Sequence, residues 1–448
     1  MGYIVILLKN ISLKTMLTLF LNKNFKIISF LLILGIIFYR SPHILLNGRF
    51  VVEEGSYWFR NSYLFGPIAG LTQINWESSY FHLWPNIASV FATFVPLEYS
   101  PLVTVYFALI VKLYLFLFII FGQSNFIKSD IDKFFLSFIV LLSPPMVAEV
   151  WLNTLVSQVY FTIICIFILF QKNIKGDLFN KTSPFILLIS GLSSLLPCLL
   201  TPFFLFNLVK EKDKLRLYNF VAIFLCSIFQ SFIFIVSYLQ NLANTAGQSE
   251  RFIISIEKLF NFIYNVLAKP LFGRDLTQFV YYNIFDQLSI FIIIIFFTLL
   301  ISLIFIFIFK YLKKDKILSI LVILFFLYSL LALYGSKVEQ VQGRFALLPG
   351  ILLLFSIYRI FQISNKSLKY LCIFLVTTSL LAGSYEFKKN NKYPQLLICL
   401  DCPDWKEEVE KWKKDNTYKL KIWDYPTRSM SLHGDNWSFP GGRPLTIF

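Results

Sequence analysis

Apolar runs that are long enough to cross a lipid bilayer recur through most of this chain, from Phe25 to Tyr385. A transmembrane helix needs about 20 predominantly apolar residues, because each residue advances it by about 1.5 Å across a hydrocarbon core about 30 Å thick. Charged residues make up only 15% of the chain, against about 25% in an average soluble domain. The sequence therefore predicts an all-α polytopic membrane protein that lies in a lipid bilayer.

The positive charges predict how the helices are oriented. The net charge is +16, and the lysines cluster in short segments between the apolar runs. Such clusters are typical of cytoplasmic loops, so the excess reflects topology and does not indicate a nucleic-acid partner. This bias predicts a cytoplasmic N-terminus, with residues 1–24 forming an amphipathic segment at the inner surface, and an extracytoplasmic C-terminus.

One apolar run, Pro184 to Val209, has lysines on both sides, with Lys181 before it and Lys210 after it. Because both ends are then cytoplasmic, we interpret the run as two short helices that form a hairpin broken near Pro197. With this hairpin included, the pattern predicts about eleven crossings. The membrane body is predicted to cover residues 25–385, with outer loops at 41–100 and 240–287.

Residues 386–448 are predicted to form a small α/β unit on the outer side. Asp404 and Glu407 have the spacing of a capping box that opens a helix. Strands are predicted over Leu396–Leu400, which is apolar, and over Tyr418–Trp423, where apolar residues alternate with lysines. Between the first strand and the helix, Cys399 and Cys402 have a C-x-x-C spacing, which on the outer side is compatible with a local disulfide or with two thiols.

Carboxylates are scarce in this chain, and two adjacent ones, Glu53 and Glu54, stand beyond the first span and before Gly55. Topology places them on the outer face. Neighbouring side chains in a loop point apart, so the pair need not share a ligand. We expect Glu54 to carry chemistry, because a positive φ at Gly55 would admit close approach of a substrate. The alternative is that both are ordinary carboxylates of a solvated loop.

The segment from Arg49 to Gly55 resembles the acidic motif that follows the first span in GT-C-type membrane glycosyltransferases, a superfamily that includes enzymes like the protein mannosyltransferases and aminoarabinose transferases. The resemblance is nearest to bacterial relatives of these enzymes. Further segments that are similar to the superfamily are Phe81–Pro85, the set Ser143, Pro144, Pro145, Glu149, Asn153 and Gln158, and Gln342–Pro349.

This resemblance implies an enzyme of the bacterial plasma (inner) membrane that moves a sugar from a polyprenyl-phosphate donor to a glycan, lipid or protein acceptor on the outer face. The acceptor hydroxyl loses a proton as it attacks the anomeric carbon, so Glu53 or Glu54 would act as the base. Either could instead hold a divalent cation, Mg²⁺ or Mn²⁺, against the phosphate. GT-C enzymes more often have an aspartate here, so which glutamate acts stays open.

The donor phosphate needs cations at the outer face, and we expect Arg344, Lys269 or Arg274 to bind it. Arg344 is the preferred candidate because it opens a span at the outer boundary. The alternative role for Arg344 is that of an interfacial anchor whose side chain reaches the lipid headgroups. His82 is a candidate substrate contact, or a packing residue among aromatic rings. Lys112 falls in the middle of a span, where a charge is costly, so it is predicted to face the bundle interior.

Two other functions remain as alternatives. A flippase or transporter for a lipid-linked glycan would favour polar sites near the bilayer midplane and matching interrupted spans in both halves. One broken hairpin is predicted here, without a matching partner. An envelope glycan polymerase or ligase would act on the outer face through basic residues of large loops, for which Lys269 and Arg274 are candidates.

Overall fold

A computed structural model describes residues 13–76, 78–127, 129–144, 150–240, 258, 262–278, 311–312, 314–335, 343–387, 404–423 and 429–433. The helices are α1 (Leu13–Arg40), α2 (Pro42–Asn47), α3 (Arg60–Thr72), α4 (Leu83–Ala92), α5 (Ser100–Phe121), α6 (Asp130–Leu142), α7 (Ser157–Leu169), α8 (Leu178–Ser193), α9 (Leu195–Cys198), α10 (Thr201–Glu211), α11 (Lys214–Leu239), α12 (Lys269–Phe272), α13 (Lys316–Gly335), α14 (Gly343–Ile363), α15 (Lys366–Glu386) and α16 (Trp405–Lys414). Two π-helical turns cover Glu54–Phe59 and Ile263–Ala268, and a 3₁₀ turn covers Leu97–Tyr99.

The strands form two small antiparallel sheets. In the first, β1 (Ile74–Asn75) pairs with β2 (Tyr80–Phe81). In the second, β3 (Leu420–Lys421) pairs with β4 (Ser429–Met430). Both sheets have only two strands, so the described part of the chain is held together mainly by helix packing, as expected where backbone groups must be satisfied away from water.

Five described helices are long and apolar enough to cross a membrane: Leu97–Phe121, Lys214–Leu239, Lys316–Tyr334, Gly343–Ile363 and Lys366–Glu386. They confirm the prediction of a multi-pass helical membrane protein, while the count of about eleven crossings stays a prediction. The first helix runs without interruption from Leu13 to Arg40. The predicted boundary at residue 24 therefore falls inside a helix.

The main core lies along α5, α7 and α14, whose apolar side chains are buried on most sides. All described residues of α14 from Ala346 to Ile360 are buried, so this helix is at the centre of the packing. A second, smaller core joins the segment after α2 to the C-terminal unit. The large core therefore forms the body, and the small one attaches the C-terminal unit to it.

Charged residues that were predicted to be cytoplasmic gather at one end of the bundle, here called the lysine-rich end. Lys26 lies 3.4 Å from Asp130, at the start of α6. Arg359, near the end of α14, forms an ion pair of 2.7 Å with Asp315, just before α13. These pairs bring together segments that the positive-charge pattern assigned to the same side.

The hairpin predicted between Lys181 and Lys210 is present. Helices α8 and α10 both pack on α11, and the chain reverses between them at the short helix α9, which contains Pro197. The Arg216 guanidinium, at the start of α11, donates to the Gln171 carbonyl at 2.6 Å, so both ends of the hairpin lie at the lysine-rich end. The hairpin thus enters and leaves the bundle at the same end.

The C-terminal unit lies at the opposite end, here called the tail end. Its helix α16 is capped by Asp404, which accepts hydrogen bonds from the backbone of Lys406 and Glu407, as the sequence predicts. The Trp405 indole donates to the Leu97 carbonyl at 2.8 Å. Residues 396–400 and the Cys399–Cys402 pair lie outside the described ranges, so the first predicted strand and the C-x-x-C motif stay predictions.

The two ends can be distinguished by cysteine labelling. In a chain with Cys399 and Cys402 replaced by serine, we expect a membrane-impermeant maleimide to label Glu410→Cys in intact cells and Lys175→Cys only after permeabilisation. Both positions are exposed, and the positive-inside bias predicts that the two ends of the bundle face opposite sides of the membrane. Cys165, Cys198, Cys226 and Cys372 are buried and give a low background. Labelling of both variants from one side would contradict the two-ended arrangement.

Candidate functional site at the tail end

Glu54 follows a sharp change of chain direction. Val52 has a φ of +44°, and a β-branched residue in this left-handed region is a true outlier that costs on the order of 1–3 kcal/mol. The π-helical turn Glu54–Phe59 begins two residues later. Such turns are rare and are frequent at functional sites. The local backbone is therefore strained where the predicted catalytic residue lies.

The Glu54 carboxylate is buried, with 0% of the residue exposed. The Thr154 backbone N–H donates to its Oε1 at 3.1 Å, and the Thr154 hydroxyl donates to the same oxygen. Its Oε2 has no hydrogen-bond partner among the described residues. Burial raises the pKa of Glu54, while the Thr154 hydrogen bonds and the charge of Arg49 oppose that shift. One oxygen is thus held by Thr154, and the other is a buried acceptor without a described partner.

Glu53 differs from its neighbour because its side chain is exposed. The two carboxylates therefore point apart, which confirms that they need not share a ligand. The alternative of a solvated loop carboxylate fits Glu53 and is wrong for Glu54. Two other acidic residues considered from the sequence, Glu77 and Glu149, lie outside the described ranges.

Gly55 does not have the role that the sequence suggested. It lies inside the π-helical turn, and the positive φ belongs to Val52. A Cβ on Gly55 would lie 2.8 Å from Phe50 Cβ and 3.4 Å from Ile422 Cδ1. The expectation of a positive φ at Gly55 is therefore wrong, and the glycine is required instead for close packing.

Three buried basic residues, Arg40, Arg49 and Lys112, surround Trp151 and form what we call the cation cluster. The Arg49 guanidinium donates to the Trp151 carbonyl at 2.7 Å. The Arg40 Cζ lies 4.1 Å from the centre of the Trp151 ring, and the Lys112 Nζ lies 3.5 Å from it. Aromatic faces attract cations in this geometry. Lys112 is only 2% exposed, which confirms that it faces the interior.

The cation cluster and Glu54 are neighbours. Thr154, which binds Glu54, is three residues after Trp151, and the chain turns between them at Leu152, whose φ is +50°. Burial lowers the pKa of Arg49 to about 10, with the nearby Glu54 opposing the shift, so Arg49 keeps its charge at neutral pH. The site therefore combines one carboxylate with positive charge at the end of an apolar bundle.

His82 lies beside the Glu54 turn. Its ring is 4.2 Å from the Tyr80 ring and 5.0 Å from the Trp58 ring, measured between centroids. Burial lowers the pKa of His82 to about 3, so it is neutral at pH 7. Its Nε2 and the Trp58 Nε1 have no hydrogen-bond partner within the described part of the chain. The packing interpretation of His82 is confirmed, and a contact with substrate stays a prediction.

The three cations predicted to bind phosphate lie elsewhere along the tail end. The Lys269 Nζ donates to Asn265 Oδ1 at 2.5 Å, and the backbone N–H of Arg274 donates to Glu386. The Arg344 guanidinium lies 5.1 Å from the ring of its neighbour Phe345. Their roles toward a phosphate stay predictions, while Arg49 of the cation cluster lies close enough to Glu54 for its charge to oppose the rise in pKa that burial causes there.

A divalent cation does not fit this site well. Glu53 and Glu54 diverge, and the described residues contain no group of three His, Cys, Asp or Glu side chains that could hold a metal ion. Glu54 also has the positive Arg49 beside it, which would repel a metal ion. Whether Glu54 acts as a base or as a metal ligand stays a prediction.

Several members of the site were not predicted from the sequence as functional residues: Arg40, Trp151 and Thr154. A signal was available for Arg40 and Arg49, because both flank the short helix α2 just before the glutamate pair. No sequence signal marks Thr154, which lies 100 positions from Glu54.

Comparison of this chain with models of known protein families, with curated proteins and with solved structures gives no match.

The raised pKa of Glu54 predicts a dependence of stability on pH. The folded state binds the Glu54 proton more tightly than the unfolded state, so the contribution of this group to stability falls as pH rises from about 4.5 through the folded-state pKa. The Tm of the wild type should therefore fall relative to the Tm of Glu54→Gln as pH rises through this range. Thermal unfolding in detergent at successive pH values measures it, with the exposed Glu53→Gln as a control. A pH-independent difference would contradict the assignment.

The contact with Thr154 predicts a second effect. Thr154→Val removes the hydroxyl donor and leaves buried Glu54 less satisfied, so we expect a loss of about 1–3 kcal/mol in the free energy of unfolding. Thr154→Ser keeps a hydroxyl and should retain more of the stability. Chemical denaturation of the purified variants measures both. Equal losses for valine and serine would show that the hydroxyl does not stabilise Glu54.

Proposed function

We propose that the chain is a membrane glycosyltransferase that moves a sugar from a polyprenyl-phosphate donor to a glycan, lipid or protein acceptor. The observation that carries this proposal is the buried Glu54, with Oε1 held by Thr154 and Oε2 without a described partner. A base works best when its pKa is raised toward the working pH. Burial acts on Glu54 in that direction.

In the proposed reaction, Glu54 Oε2 takes the proton of the acceptor hydroxyl. The acceptor oxygen then forms a bond to the anomeric carbon, and the bond between that carbon and the phosphate oxygen breaks. The electron pair of that bond leaves with the polyprenyl phosphate. Its negative charge would be stabilised by the cation cluster, because guanidinium and ammonium groups bind phosphate oxygens strongly when removed from water.

The site supports a reaction at the membrane surface. Glu54 and Arg49 lie at the tail end, beside Trp423 of the C-terminal unit, while Lys112 reaches Trp151 from the middle of α5. A polyprenyl donor would place its phosphate at the same level as this end of the bundle. We assign this end to the extracytoplasmic face of a bacterial inner membrane, on the basis of the positive-inside bias.

Replacing the base should stop transfer. We expect Glu54→Gln to lower the rate of sugar transfer by about 100-fold to 10,000-fold, as for loss of a general base, and Glu53→Gln to change it little. The measurement is product formation in membrane vesicles given labelled polyprenyl-phosphate sugars, with expression checked for each variant. Full activity of Glu54→Gln would contradict the assignment.

The same vesicles distinguish the alternatives. Unchanged turnover after chelation would exclude a required Mg²⁺ or Mn²⁺, in line with the positive charge beside Glu54. If labelled lipid-linked sugar moves across the membrane without a new glycosidic bond, the chain is a flippase. Growth of one glycan by repeated units would indicate the polymerase or ligase.

A further inference from the structure

Residues 50–52, which precede Glu54, are hydrogen-bonded to the C-terminal unit. The Trp423 backbone N–H donates to the Phe50 carbonyl at 3.1 Å, and the Val52 N–H donates to the Trp423 carbonyl at 2.8 Å. Val51 and Trp423 form an isolated parallel bridge between these two bonds. Both bonds join backbone groups, so they fix the path of the chain.

The strained turn lies directly beside this bridge. Val52 has the positive φ, and the turn closes through the Glu54 N–H, which donates to the Val51 carbonyl at 2.9 Å. A β-branched residue does not adopt this conformation unless its surroundings determine it. The hydrogen bonds to Trp423 supply such surroundings from a part of the chain about 370 positions away.

Side chains strengthen the same contact. Ile422 is 2% exposed and belongs to the small core with Phe50 and Phe59. The Arg49 guanidinium lies 5.5 Å from the Trp423 ring centre, so one member of the cation cluster also contacts the segment 420–423, which begins with β3. The residues just before Glu54 are therefore bounded on one side by the segment 420–423.

From this geometry we propose that the segment 420–423 is a positioning element of the catalytic site, which holds the left-handed turn at Val52 and so places Glu54 against Thr154. Its catalytic meaning rests on the proposed function of Glu54. Trp423 is then a positioning residue that acts through its backbone, and it does not touch the substrate.

The C-terminal unit has other attachments, so the bridge can be tested alone. The Trp405 indole binds the Leu97 carbonyl, and the Arg60 Nε donates to the Ser431 carbonyl at 2.6 Å. Trp423→Pro removes the N–H that binds Phe50 and leaves these contacts in place. Lys419→Pro is the matched control, because Lys419 is exposed in the same unit and its N–H makes no described hydrogen bond.

We expect Trp423→Pro to lower sugar transfer by about 10-fold to 100-fold, as for a catalytic group displaced by about 1 Å, while Lys419→Pro retains activity. Adding Val52→Gly should restore part of the loss, because glycine adopts a positive φ without steric cost. No loss in Trp423→Pro, or no recovery on adding Val52→Gly, would overturn the proposal.

A second readout does not depend on activity. For each protein, the Tm is compared with that of the same protein carrying Glu54→Gln, at successive pH values. The pH dependence of this Tm difference should be smaller in Trp423→Pro than in the wild type, since Glu54 becomes more hydrated. It should increase again when Val52→Gly is added. If the wild type shows no transfer but these shifts occur, the proposed function fails and the positioning role holds. If Trp423→Pro does not fold, hydrogen exchange of the wild type decides: unprotected amides at Val52 and Trp423 would overturn the bridge.

Discussion

A carboxylate removed from water is stable only if other groups replace its lost hydration, and this requirement organises the tail end of the bundle. Glu54 receives two hydrogen bonds from Thr154 and lies near the charge of Arg49. Arg49 in turn binds the carbonyl of Trp151, whose ring meets Arg40 and Lys112. Each of these buried side chains thus depends on groups from distant segments of the chain, so the site exists only when the bundle is assembled.

The backbone carries part of the cost of this arrangement. Val52 and Leu152 both have positive φ without being glycine, and they lie next to the two segments that meet at Glu54 and Thr154. Strain of this kind persists where surrounding structure determines the conformation. The segment 420–423 of the C-terminal unit pairs with one of these segments through an isolated bridge between Val51 and Trp423. The C-terminal unit is therefore part of the structure around the site, although it follows the last described span.

Much of the fold could be predicted because its signals are local. Apolar length identifies the spans, Asp404 and Glu407 identify the start of α16, and flanking lysines identify the hairpin around Pro197. Glu54 was also identified, because a carboxylate is conspicuous in an apolar chain. The positive φ expected at Gly55 is wrong, since Gly55 packs against Phe50 and is not in the left-handed region. A glycine in a sequence does not distinguish a need for conformational freedom from a need for space.

The sequence by itself determined the class of the protein, the set of apolar helices and the segregation of positive charge, because bilayer thickness and loop charge act on each segment separately. Only the tertiary structure decided that Glu54 is buried and Glu53 exposed, that Thr154 contacts Glu54, and that Trp151 and Trp423 contact residues just before it. Burial and charge pairing depend on which distant segments pack together. That packing has no signature at any single position of the chain.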